Sequence, residues 1–122
     1  MSFEEAAMRI DVLVVPDCPN GPVMIERLAQ ALGGRADAQV ATRVIDTIEQ
    51  ADRWGMHGSP TVLIDGRDPF AAPGATASVS CRLYQDEDGR AQGAPSLARL
   101  SEALIGRPGR CTRGRAAATD DT

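Results

Sequence analysis

Apolar positions change their period several times along the chain, and each change predicts an element. Ile10 and then Val12 to Val15 form a near-continuous apolar run, the pattern of a central strand covered on both faces. A first strand is therefore predicted over 9–15, after a flexible lead-in at 1–8. Turn residues fill 16–20. From Gly21 the period lengthens. Met24, Ile25, Leu28, Ala31 and Leu32 fall on one stripe of a helix over 21–32, and Gly33-Gly34 supplies the left-handed backbone that ends it. Val40, Thr42 and Val44 alternate, which predicts a second strand over 40–46.

Thr47-Ile48-Glu49-Gln50 fits a capping box, so a short helix should occupy 48–54. Residues 55–60 read as a loop and 61–65 as a short β-branched strand, with Asp65-Gly66 as a strong turn signal. A loop rich in Pro, Gly and Ala covers 67–76. Alternation returns over 77–84 as a fourth strand, and the acidic stretch 85–93 reads as an exposed turn. The last helix should run from 95 or 96 to 105, burying Leu97, Leu100, Leu104 and Ile105, and Gly106 and Pro108 stop it. Residues 107–122 lack periodicity and are predicted to be a disordered tail. The order is β-α-β-α-β-β-α: one α/β domain over 9–106, with parallel pairing through a right-handed crossover and a closing antiparallel hairpin.

Composition narrows the possibilities. The 122 residues suit one domain, and 43% apolar content is enough for a core. Aromatics are only 3%, so Val, Leu, Ile, Ala and Met must fill it. The net charge of -4 argues against a nucleic-acid binder, which would carry a basic face. All thirteen basic residues are arginine, which fits a GC-rich bacterial genome. No apolar run approaches a membrane span, and the N-terminus lacks the pattern of a secretory signal. A cytoplasmic location is expected, where thiols stay reduced. The three cysteines, Cys18, Cys81 and Cys111, make no disulfide framework and match no structural zinc spacing.

The chemistry concentrates on Asp17-Cys18-Pro19-Asn20-Gly21. Cys18 stands where a strand turns into a helix. Unpaired N–H groups and the positive end of the helix dipole favour an anion there, and a thiol so placed tends to become a nucleophile or a metal ligand. The plainer alternative is a small buried apolar side chain, which suits a turn of Pro, Asn and Gly poorly.

Cys18-Pro19-Asn20-Gly21 between strand and helix, together with Ala51-Asp52-Arg53-Trp54-Gly55-Met56-His57-Gly58-Ser59-Pro60-Thr61-Val62-Leu63-Ile64-Asp65-Gly66, resembles the thioredoxin-like superfamily. The resemblance covers about 9–105, and the second stretch is its more specific part. It implies a minimal thioredoxin fold with a four-stranded mixed sheet flanked by helices. It also implies a cis Ser59–Pro60 bond beside the reactive thiol, with Ser59 lining the site. The motif is monothiol, since Gly21 stands where dithiol members carry a second Cys. Asp17 replaces the usual Trp, and Val12 stands at the position of the buried acid.

In this fold the strand after the cis-proline runs away from the site and its hairpin partner returns. If 61–64 pairs with about 77–80, Cys81 comes back near Pro60 and Cys18 as a resolving thiol, with Arg82 adding a positive field. The alternative for Cys81 is a buried strand cysteine. His57 either contacts substrate or the Cys18 thiolate, or is an exposed loop residue. Trp54 reads as a core anchor. Asp17 either handles a proton for the thiol or caps the first helix. Arg67 and Asp68 fall on the long loop with nothing to fix them, and Cys111 falls in the tail.

The leading expectation is a thiol–disulfide oxidoreductase, with Cys18 and Cys81 catalytic and Asp17, Pro19, Asn20, Gly21, His57, Ser59 and Pro60 around the substrate. Its partners would be protein or small-molecule thiols and disulfides, without resident cofactor, nucleic acid or membrane. Glutathione would enter as co-substrate if Cys81 lay out of reach, as in a monothiol glutaredoxin. Two alternatives remain: a soft-metal or organomercurial handler, since thiolates suit Hg, Cu(I) or Zn, and a non-catalytic binding module.

Overall fold

A computed structural model describes residues 8–35 and 37–105. Its elements are β1 (Met8–Val14), α1 (Gly21–Leu32), β2 (Ala38–Val44), α2 (Ile48–Trp54), β3 (His57–Ser59), β4 (Thr61–Ile64), β5 (Ser78–Cys81), β6 (Tyr84–Gln85), β7 (Ala91–Gln92) and α3 (Leu97–Ile105). Both early helices span the stretches their patterns predict. Met8, placed in the lead-in by its sequence, opens β1 and is fully buried. The expected tail at 107–122, with Cys111, lies outside the described residues.

The chain forms a mixed α/β structure around a three-stranded sheet, β2-β1-β4. β1 runs parallel to β2, with Val12 opposite Thr42, and antiparallel to β4, with Val12 opposite Val62. Period-two alternation divides β1 between two cores. Met8, Ile10, Val12 and Val14 pack with Val62 and Ile64 of β4 against Met24 and Leu28 of α1 and Leu100 and Leu104 of α3. Leu13 and Leu63 point the other way, to Ile45, Met56 and Ala51 of α2. The helices thus cover opposite faces, and the end of β1 delivers the chain into the turn that holds Cys18.

The expected four-stranded sheet is not what forms. Ser78–Cys81 pairs parallel with His57–Ser59, with His57 opposite Ser78 and Ser59 opposite Cys81, and a register shift between. It does not pair antiparallel with Thr61–Ile64. Two features account for this. Arg67 folds back onto Ile64 in a bridge, with N–H···O bonds in both directions, which closes the turn at Asp65-Gly66. The long loop after it then returns the chain beside His57 in the same direction, which a tight hairpin cannot do. The 77–84 stretch divides, and Tyr84-Gln85 instead pairs with Ala91-Gln92 in the stretch read as a turn.

Three burial patterns also depart from expectation. β2 is exposed along most of its length, including Val40 and Val44. Leu97 and Ile105 of α3 lie exposed: Leu97 is the helix's first residue, and Ile105 is turned about 100° from Leu104. Inside the apolar run, Asp11 is buried between Arg9 and Arg43, whose Nε atoms stand 3.3 and 3.6 Å from its carboxylate. Asp11 Oδ1 and Arg43 Nε each lack a hydrogen bond and face one another, while the Arg43 guanidinium lies 4.2 Å over the Trp54 ring. Among the described residues no helix is long and apolar enough to cross a membrane.

Candidate functional site

Cys18 sits in a compact turn made by its own backbone. Its N–H donates to Val15 O at 3.2 Å, and its carbonyl accepts from Gly21 N at 3.3 Å. Asp17 takes a positive φ of 61° to make the bend, one of the few non-glycine types that tolerates it. Asp17 does not cap α1; the N-cap is Asn20, with no side-chain capping bond. The first turn of α1 carries no acidic residue, so no carboxylate of the helix itself competes for its positive end. Cys18 is a free thiol, part exposed, with one side against the core.

The neighbouring residues are positioned by packing. Gly21 is buried, and a Cβ there would stand 3.0 Å from Val14 Cγ1. The Asn20 side chain fills the space above Gly93, where a Cβ would meet it at 2.4 Å. Pro19 is exposed. The Ser59–Pro60 peptide is cis. Two bonds tie this loop down. Ser59 Oγ accepts from Val15 N at 3.0 Å, and the Tyr84 hydroxyl donates to the Pro60 carbonyl. The Ser59–Pro60 loop therefore rests against the start of the Cys18 turn. Burial holds the Tyr84 phenol far above its ordinary ionisation range, and Cys18 is close enough for a negative charge there to push the same way.

Cys81 is exposed, free, and opposite Ser59 in the β3–β5 ladder, while Arg82 N donates to Ser59 O at 3.0 Å. The expected field of Arg82 on the thiols is directed elsewhere. Its guanidinium turns to Asp68 Oδ2 at 2.7 Å and Thr61 Oγ1 at 3.2 Å, and stacks 4.6 Å over the Tyr84 ring. His57 is likewise no free loop residue: it lies in β3, with Nδ1 2.9 Å from Asp68 Oδ2. A carboxylate only accepts, so Nδ1 is the donor in this contact. Asp68, which the sequence left without a role, is the buried hub of this cluster, and its Oδ1 also accepts from Phe70 N at 2.9 Å. The available signal was a Gly-Arg-Asp-Pro turn beside a lone His and an Arg in the next strand.

The cluster opens onto a cleft of about 970 Å³ walled by the 67–75 loop, β6 and α3. Neither Cys18 nor Cys81 lines it. Tyr84 is its link to the thiol turn, since the ring that walls the cleft carries the hydroxyl bonded to Pro60. Among the described residues no group of three or more His, Cys, Asp or Glu side chains is arranged to hold a metal ion. Comparison with protein-family models, curated proteins and solved structures gave no significant match.

Proposed function

We propose that the protein is a thioredoxin-like thiol–disulfide exchange protein with Cys18 as the attacking thiol. The observation that carries this reading is the bond fastening the Ser59–Pro60 loop to the Cys18 turn, Val15 N to Ser59 Oγ, with the same loop braced from β6 by the Tyr84 hydroxyl on Pro60 O. The first bond joins two sequence-distant motifs beside a part-exposed cysteine. The β-α-β-α-β order of β1, α1, β2, α2 and β4, with β1 and β2 parallel across α1 and β4 antiparallel to β1, agrees with the fold this function uses.

The proposed chemistry has two steps. The Cys18 thiolate attacks a substrate disulfide, forming a mixed disulfide and releasing one substrate thiolate. The Cys81 thiolate then attacks Cys18 sulfur, forming Cys18–Cys81 and releasing the second thiolate; the substrate is reduced and the protein oxidised by two electrons. The Ser59–Cys81 register supports Cys81 as the resolving group. The test is insulin reduction driven by dithiothreitol, with disulfide mapping after oxidised glutathione. Wild type should turn over and yield Cys18–Cys81. Cys81→Ser should stall as a Cys18–glutathione adduct, and Cys18→Ser should be inert. An inert wild type would leave a binding module, and turnover by Cys18→Ser would overturn the assignment of the nucleophile.

A further inference from the structure

The cleft beside the His57–Asp68–Arg82 cluster has a composition unlike the rest of the molecule. The whole chain carries a net charge of -4, yet three arginines line the cleft, Arg67, Arg82 and Arg99, against two carboxylates, Asp68 and Glu102. Three cations less two anions leave one positive charge. Arg82 is committed to Asp68 at 2.7 Å. The other two arginines are not so committed. Arg67 is exposed, and among the described residues its side chain makes no hydrogen bond or ion pair. Arg99 reaches Glu102 only at 3.9 Å and the Asp86 carbonyl at 3.4 Å, and its Nε has no partner. Those contacts lie at or beyond the long end of useful hydrogen bonding.

Between these charges the walls are apolar. The Phe70 ring stands edge-on to Tyr84 at 5.5 Å between centroids, and Leu83 lines the same cleft with its side chain exposed. A volume of about 970 Å³ is that of a small-molecule site. An apolar body with an anionic head matches this lining. A cation would meet Arg67 and Arg99, and a neutral apolar molecule would leave both guanidinium groups unmatched.

We infer that this cleft binds a small organic anion, a carboxylate or phosphate ester on an apolar body, with Arg67 and Arg99 supplying the charge-assisted bonds and Phe70 and Leu83 the apolar contact. The site is distinct from the thiol turn, so it stands whether or not Cys18 is a nucleophile.

The experiment is an amide NMR titration of the full chain with hexanoate, hexyl phosphate, hexylammonium and hexanol. The two anions should shift amides around Phe70, Leu83 and Ala103, and the better of them identifies the head group. Hexylammonium and hexanol should leave those amides in place. Arg67→Gln with Arg99→Gln should weaken anion binding by about tenfold or more. Arg67→Gln alone, at a side chain that holds nothing else, should weaken it in the same direction while leaving the fold intact. Equal shifts from hexanol, anion-induced shifts confined to other surfaces, or undiminished binding in both variants would overturn the site.

Discussion

Val15 donates its backbone N–H to Ser59 Oγ at 3.0 Å across 44 residues of sequence. This single bond seats the residue before the cis-proline against the end of the strand that leads to Cys18. Ser59 is almost wholly buried. Ser59→Ala therefore leaves a donor without its acceptor, at a cost of about 1–3 kcal/mol. Urea unfolding should show a lower midpoint with an unchanged slope, the sign of lost stability without a change in the surface exposed.

Asp68→Asn should destabilise more. Asp68 and Arg82 are both nearly buried, with side-chain exposures of 4% and 10%. Removing the carboxylate strands a cation, which typically costs about 3–5 kcal/mol. The pair replaced together by Asp68→Leu and Arg82→Met should recover most of that loss, because a buried ion pair is often no better than well-packed apolar side chains. Thermal melts of the single and double variants separate the two outcomes.

Tyr84 is the only tyrosine, so tyrosinate absorbance reports it alone. Burial, the largest cause, raises its ionisation well above the ordinary value of 10.0, against a smaller opposing pull from Arg82. A folded-state value above the unfolded one means the stabilisation is fully present below about pH 10 and is lost as pH climbs past it. In an alkaline titration, tyrosinate should appear late and together with unfolding. Tyr84→Phe should abolish that signal and leave the Pro60 carbonyl without its donor.

Gly58→Ala and Gly66→Ala form a matched pair. Both glycines have positive φ, 110° and 85°. At Gly66 a Cβ meets nothing within 4 Å, whereas at Gly58 it would stand 2.9 Å from Arg82 Cβ and 3.2 Å from Ser80 O. Gly66→Ala should cost about 1 kcal/mol of backbone strain. Gly58→Ala should cost more, and only there should amide exchange rise along β5, because the clash pushes β5 away from β3.

Helix α1 was legible from its apolar stripe and its terminal glycines, and α2 from its capping box. Thr47 Oγ1 accepts from Gln50 N at 3.1 Å, as its pattern predicts, although Gln50 Oε1 reaches back to Asp46 N. The partner of β5 was not legible. Pairing is decided by where a long loop delivers the chain, and no periodicity within 78–81 encodes that. Asp11 was hidden for a related reason: one charge inside an apolar run reads as noise until Arg43 arrives from β2. The positions 17–21, 57, 59 and 60 could be nominated from motif alone. Asp68 could not, because its importance comes from His57 and Arg82, which are apart from it in sequence.

β5 fully buries none of its four residues, rests Val79 against the second core and pairs with the short strand β3 at two register positions. A ribbon so thinly anchored is among the cheapest parts of a fold to release by local opening. Cys81 rides at its end. Its excursion toward another sulfur would therefore peel away a short ribbon and leave the three-stranded sheet intact, so the timing of any second exchange step would be set by that peeling as much as by sulfur chemistry.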